Sequence, residues 1–156
     1  MTRVNEGGVG GSGTGPPNSI GFEQFDAEAD VGIRAWGPTR AEAFAQAALG
    51  VFSLVVDPAT VTPRETREVR AQAGSPETLM VAWIDECLYV HDIEAFVVSR
   101  VEVSSCSDGV VLGRLHGEPL DAARHRLTTV VKAARLHDVV IQALDSRHEV
   151  RIIVDV

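Results

Sequence analysis

Residues 75–105 read SPETLMVAWIDECLYVHDIEAFVVSRVEVSS, and both kinds of secondary structure in the fold meet inside this stretch. Ser75 is a helix N-cap by type, and Pro76 at the first helical position costs no hydrogen bond the helix needs. Met80, Trp83, Ile84, Cys87 and Leu88 then recur at helical spacing, one apolar stripe aimed at a core. That spacing assigns Trp83 and Cys87 to packing. From Ala95 the character changes, because AFVVSRVEVSS is rich in β-branched residues and reads as a strand.

Working outward, the same alternation of signals repeats. Upstream, TREVRAQA (66–73) alternates as a half-buried strand. Before it, Thr39 and Glu42 form a capping box that starts a first helix, with Phe44, Ala48, Val51 and Val55 on its buried face. Pro58 and Pro63 in DPATVTP end that helix. FEQF and VGIRAWG read as two short strands interrupted at DAEAD (26–30). Downstream, GVVLGRLHG, TTVVKAARLHDVVIQAL and EVRIIVDV are strand-like. Helices early and antiparallel-type strands late predict an α+β fold: a single domain, mostly antiparallel sheet, with two main helices on one face. Strands flank both helices, which points to a duplicated strand–helix–strand–strand unit, although no sequence repeat is visible.

Composition limits what the chain can do. Its 156 residues suit one domain, and 45% hydrophobic with 23% charged residues is ordinary for a globular protein. Residues 1–20 hold six of the 14 glycines and read as a disordered Gly/Ser/Pro-rich tail, leaving 21–156 as the folded domain. The GxGxxG at Gly8–Gly13 lies in that tail with no strand before it, so it is no dinucleotide fingerprint. No apolar run reaches the ~18 residues of a membrane span, and no basic-then-apolar leader opens the chain, so the expected compartment is the cytoplasm. Cys87 and Cys106 fit no CxxC or zinc spacing and are expected as reduced, buried thiols. The net charge of −8 works against direct binding to a phosphate backbone. Any role in RNA chemistry is therefore expected to run through a protein partner. The chain has 13 arginines and one lysine, Lys132.

Two carboxylates stand out by their neighbours. Asp26, Glu28 and Asp30 share one face if DAEAD is extended. Asp26 and Glu28 then belong to a solvated edge, whereas Asp30 abuts the apolar VGI. Asp155 lies in RIIVDV among apolar residues, and a lone buried carboxylate is costly unless it is paired or metal-bound. If Asp30, Asp155 and the terminal carboxylate of Val156 converge, they repel unless a cation sits between them. All-oxygen ligands select calcium or magnesium over zinc. On pattern alone, two exposed aspartates at strand ends are the simpler reading. The histidines make no HxxxH or HExxH pair. His116, Glu118 and His125 lie close enough in sequence to suggest an acid/base cluster, with scattered surface histidines as the alternative.

Taken together, ADVGIRAWG (29–37), EAFAQAALGVFSLVVD (42–57), LHGEPLDAARH (115–125), VVKAARLH (130–137) and the final IIVDV resemble the archease family, in order from Phe22 to Val156. The resemblance implies a small α+β accessory protein, with no turnover of its own, for an RtcB-type RNA ligase of tRNA splicing. In that role it promotes guanylylation and multiple turnover, and touches RNA only through the ligase. It also implies a divalent ion, calcium or else magnesium, held by Asp30, Asp155 and Val156. It places the family's lysine on Lys132, with His137, Glu118 and His125 as further candidates. The chain departs from the family pattern at Ala27 and Glu28, where histidine and threonine are usual. It also departs at Val130-Val131, where an acidic residue often stands, and at Arg135-Leu136, in place of threonine and tyrosine. These departures motivate a second reading, a binding module for another protein partner. A third, a small metal-dependent hydrolase using His116, Glu118 and His125, ranks last.

Overall fold

The computed structural model describes residues 19–156, so the tail expected over 1–20 falls almost wholly outside the described residues. Seven strands and two helices follow in the order β1 (Gly21–Ala27), β2 (Asp30–Gly37), α1 (Arg40–Val55), β3 (Glu65–Gln72), α2 (Pro76–Glu94), β4 (Phe96–Ser107), β5 (Val110–Pro119), β6 (Ala133–Leu144) and β7 (Arg147–Asp155). All strand pairs are antiparallel. The expected α+β domain of antiparallel strands and two helices is present, its strands forming a four-stranded sheet ordered β1-β2-β7-β6 and a three-stranded one ordered β3-β5-β4.

The duplication has a specific form. β3-α2-β4-β5 builds the smaller sheet in the order first, third, second strand. β2-α1-β6-β7 builds most of the larger sheet in the same order, with the first unit inserted between α1 and β6. The repeat is nested, which is why no tandem periodicity marks it in the sequence.

Local chemistry fixes the helix starts. Thr39 accepts from the Glu42 N–H at 3.1 Å, and Ser75 exchanges both capping-box bonds with Thr78. One core joins both sheets and both helices, with Phe44, Phe52, Trp83, Phe96, Ile33 and Leu115 fully enclosed. The Trp83 indole donates to the Phe44 carbonyl at 3.0 Å, tying α2 to α1. Its ring lies so close to Gly113 that a Cβ there would come within 2.4 Å, so β5 admits only glycine at that point. Cys87 is buried as expected, but Cys106 is only partly so; both are free thiols.

Three local expectations change. DAEAD is not extended: Ala27 pairs with Asp30 and Glu28 turns the chain at φ 54°, making a two-residue hairpin. Asp26, Glu28 and Asp30 therefore do not form one row. Regular β6 begins only at Ala133, because residues 120–132 cross instead to the end of α1, where Thr128 donates to the carbonyls of Leu54 and Val55. Those are two of the carbonyls a helix end leaves unpaired. Finally, β6 carries a wide irregularity between Arg135 and Val140, with Asp138 at φ 71°.

Candidate functional site

β2 and β7 are central strands of the larger sheet, and their register pairs Val31 with Val154, Ile33 with Ile152 and Ala35 with Val150. These apolar residues face the core. The alternate residues face outward, and one step beyond the Val31–Val154 pair lie Asp30 and Asp155. Asp155 is in turn opposite Ala133 of β6, and its carbonyl accepts from the Lys132 N–H at 2.9 Å. Asp30 is mostly covered, at 19% side-chain exposure, while Asp155 is half open at 46%.

A cation does lie between them, supplied by the chain. Arg135 donates from Nη1 to Asp30 Oδ2 at 2.6 Å, and its Nε lies 3.6 Å from Asp155 Oδ1. Sequence reading missed Arg135, since only the strand register reveals that it shares a face with both aspartates. It also missed Asp85 of α2, which accepts from the Ala134 N–H at 2.9 Å and pins the start of β6. Burial pushes the Asp85 carboxyl above its ordinary range, partly offset by that bond.

The other candidates separate. Lys132 is exposed beside Asp155. His137 lies on the β6 irregularity, 79% exposed and 3.4 Å from Asp138, and is not joined to the aspartate pair. Val156 follows Asp155 directly and is partly exposed. Among the described residues, no three His, Cys, Asp or Glu side chains group to hold a metal ion. The donor set available at the pair is two carboxylates plus main-chain oxygen, all hard oxygen ligands. That chemistry fits calcium or magnesium.

Glu118 and His125 form a different kind of cluster. Glu118 is fully buried, next to a small apolar cluster of Val56, Val61 and Val97. It accepts from the Thr62 N–H at 2.8 Å, Arg64 at 2.9 Å, Arg124 at 2.6 Å and His125 at 2.9 Å. A carboxylate has about four acceptor sites, so this one is saturated. The Thr62 amide first, then the arginines and His125, hold its carboxyl down at about 2 against the cost of burial. His125 Nδ1 accepts from the Asp121 N–H at 2.9 Å, which puts the ring proton on Nε2, facing Glu118. His116 turns elsewhere, to Glu102 at 2.5 Å, and that bond lowers the Glu102 carboxyl. The acid/base triad anticipated from His116, Glu118 and His125 is therefore not assembled. Glu118 and His125 tie the 56–64 and 118–125 segments together, and Glu118 has no lone pair left for a substrate.

Charges on the outward face of the larger sheet are largely paired within the chain. Arg34 bonds Glu23 and meets Glu149, Arg147 donates to Glu149 at 3.0 Å, and Arg34 and Arg147 both lie against Trp36. A groove of about 390 Å³ opens there, where Glu23, Arg34 and Glu149 are paired with one another and Arg151 lies over the Phe25 ring. The aspartate pair lies at the end of this face, with Asp155 half exposed.

The profile of the archease protein family matches residues 22–156. The chain belongs to the archease family. An archease from Sulfurisphaera tokodaii is 35% identical over 136 residues, covering 86% of this chain and 98% of that protein. One from Thermococcus gammatolerans is 37% identical over 126 residues, covering 79% and 89% respectively. The solution structure of Methanobacterium thermoautotrophicum protein 1598 superposes with a TM-score of 0.72 at 32% identity, covering 87% of this chain and 99% of that one. The matched span begins at Phe22, where the sequence resemblance begins. Among the described residues no helix is long and apolar enough to cross a membrane.

Proposed function

We propose that this protein is an accessory factor for an RtcB-type RNA ligase, promoting guanylylation and repeated turnover in tRNA splicing or RNA repair. Family membership supports the reading, and one observation of the site carries it: two strand-end aspartates from opposite ends of the domain sequence converge on a single cation. Asp30 and Asp155, with a main-chain oxygen of Val156, would hold a divalent ion, calcium or else magnesium. When bound, such an ion supplies concentrated positive charge to which phosphate oxygens bind. Asp30 is the more buried carboxylate and fixes the site's position; Asp155 is the open one and faces a partner. Lys132, exposed next to Asp155, offers a second cation for a nucleotide phosphate. The net charge of −8 suits a ligase with a basic RNA groove and keeps RNA contact indirect.

The test is to add the purified protein to the ligase of the same organism and measure guanylylation and product per enzyme. Wild type stimulates both, and Asp30→Ala does not. Equal rates with wild type, Asp30→Ala and no addition would remove the proposal. A second reading, a module for a different protein partner, draws on Val130 and Leu136. These exposed apolar side chains, 76% and 53% accessible, flank Lys132 and Arg135. Binding of the ligase that is unaffected by Val130→Asp and Leu136→Asp would favour that reading.

A further inference from the structure

The guanidinium of Arg135 is bonded to one of the carboxylates a divalent ion would need and lies near the other. Its Nη1 donates to Asp30 Oδ2 at 2.6 Å, engaging an oxygen that a divalent ion would also use as a ligand. Arginine cannot give up its proton to make room, so it keeps its charge and must move. The structure leaves it free to do so. Its side chain is 44% exposed, and the backbone departs from regular pairing immediately after it. On its other side, Ala134 is anchored by Asp85 and Lys132 by Asp155, so the strand start stays fixed while the side chain swings.

We infer that Arg135 is a tethered counter-ion. It closes the Asp30–Asp155 pair when no divalent ion is present and leaves Asp30 when one binds, so that ion binding and arginine release are a single coupled event. The repulsion of like charges that the sequence demands be neutralised is met in one state by the chain and in the other by the ion. Each state carries its own surface: with Arg135 on Asp30 the sheet end is internally paired, and with Arg135 released a positive side chain joins Lys132 at the rim. This inference rests on the divalent-ion reading above.

Isothermal titration of the full chain with calcium alone, and separately with magnesium alone, tests it. Arg135→Gln is expected to bind calcium about tenfold more tightly than wild type, because a competing charge a few ångströms away is gone. Arg135→Lys is expected to stay close to wild type, and Asp30→Asn to lose binding. In wild type, the Arg135 Nε–H resonance is expected to shift on calcium addition, a readout that does not depend on any variant folding. Equal affinities for wild type and Arg135→Gln, with binding abolished in Asp30→Asn, would remove the arginine's role and leave the ion site standing. No binding by any of the proteins would remove both.

Discussion

Two carboxylate clusters sit in one small domain, both bonded to arginine, and they differ in what is left over. Glu118 has four donors on its two oxygens and no solvent contact. Asp30 and Asp155 share one arginine, and Asp155 is half exposed. The first cluster has every lone pair committed, so it can only hold structure. The second has lone pairs to spare and a cation on a movable side chain, so it can exchange partners. Charge and burial alone would have ranked Glu118 as the functional group. Counting acceptor sites reverses that order.

The contrast can be broken from either side, and the largest effect should come from the saturated cluster. His125→Ala removes a buried donor from Glu118 and opens a hole beside it, and should cost about 3 kcal/mol in urea denaturation. The same variant should leave calcium binding unchanged. Next comes the acid limb. The folded Glu118 carboxyl is held at about 2 from an ordinary 4.5, so the folded state resists its protonation. Its stabilisation is whole above about pH 4.5 and is lost as pH falls toward about 2. Urea midpoints measured across that range should drop steeply for wild type and less steeply for Glu118→Gln. Asp30→Asn should show the opposite profile, with stability within about 1 kcal/mol of wild type but ion binding gone. Arg135→Gln should perturb stability least, by about 0.5 kcal/mol or less, as the partner of a half-exposed pair.

Much of this was readable in the sequence where the determining forces are local. Thr39 and Ser75 fix the helix starts through bonds to residues three positions away, Pro76 supplies a φ already set for the first turn, and the stripe from Met80 to Leu88 needs only helical geometry. The division into two sheets was not readable, because it depends on β7 choosing β2 and β6 over β3, a pairing between distant segments. The hairpin at Glu28-Ala29 was hidden because neither residue is a usual turn former, and Glu28 takes a positive φ that glycine or asparagine would have signalled. Asp30 and Asp155 could be singled out by their apolar neighbours. Their meeting could be stated only as a condition, with a cation required. The identity of that cation, Arg135, needed the β6–β7 register, since a charged residue in a strand shows no preference for either face until its partners are known.

Everything proposed for the sheet end depends on an exchangeable cation between Asp30 and Asp155. A crystal of the full chain soaked in calcium, with anomalous data, tests it directly. One ion is expected within about 2.3–2.6 Å of an oxygen of each aspartate, with the Arg135 guanidinium withdrawn from Asp30. Saturating calcium with no ion at that position, and Arg135 still bonded to Asp30 as before, would contradict it.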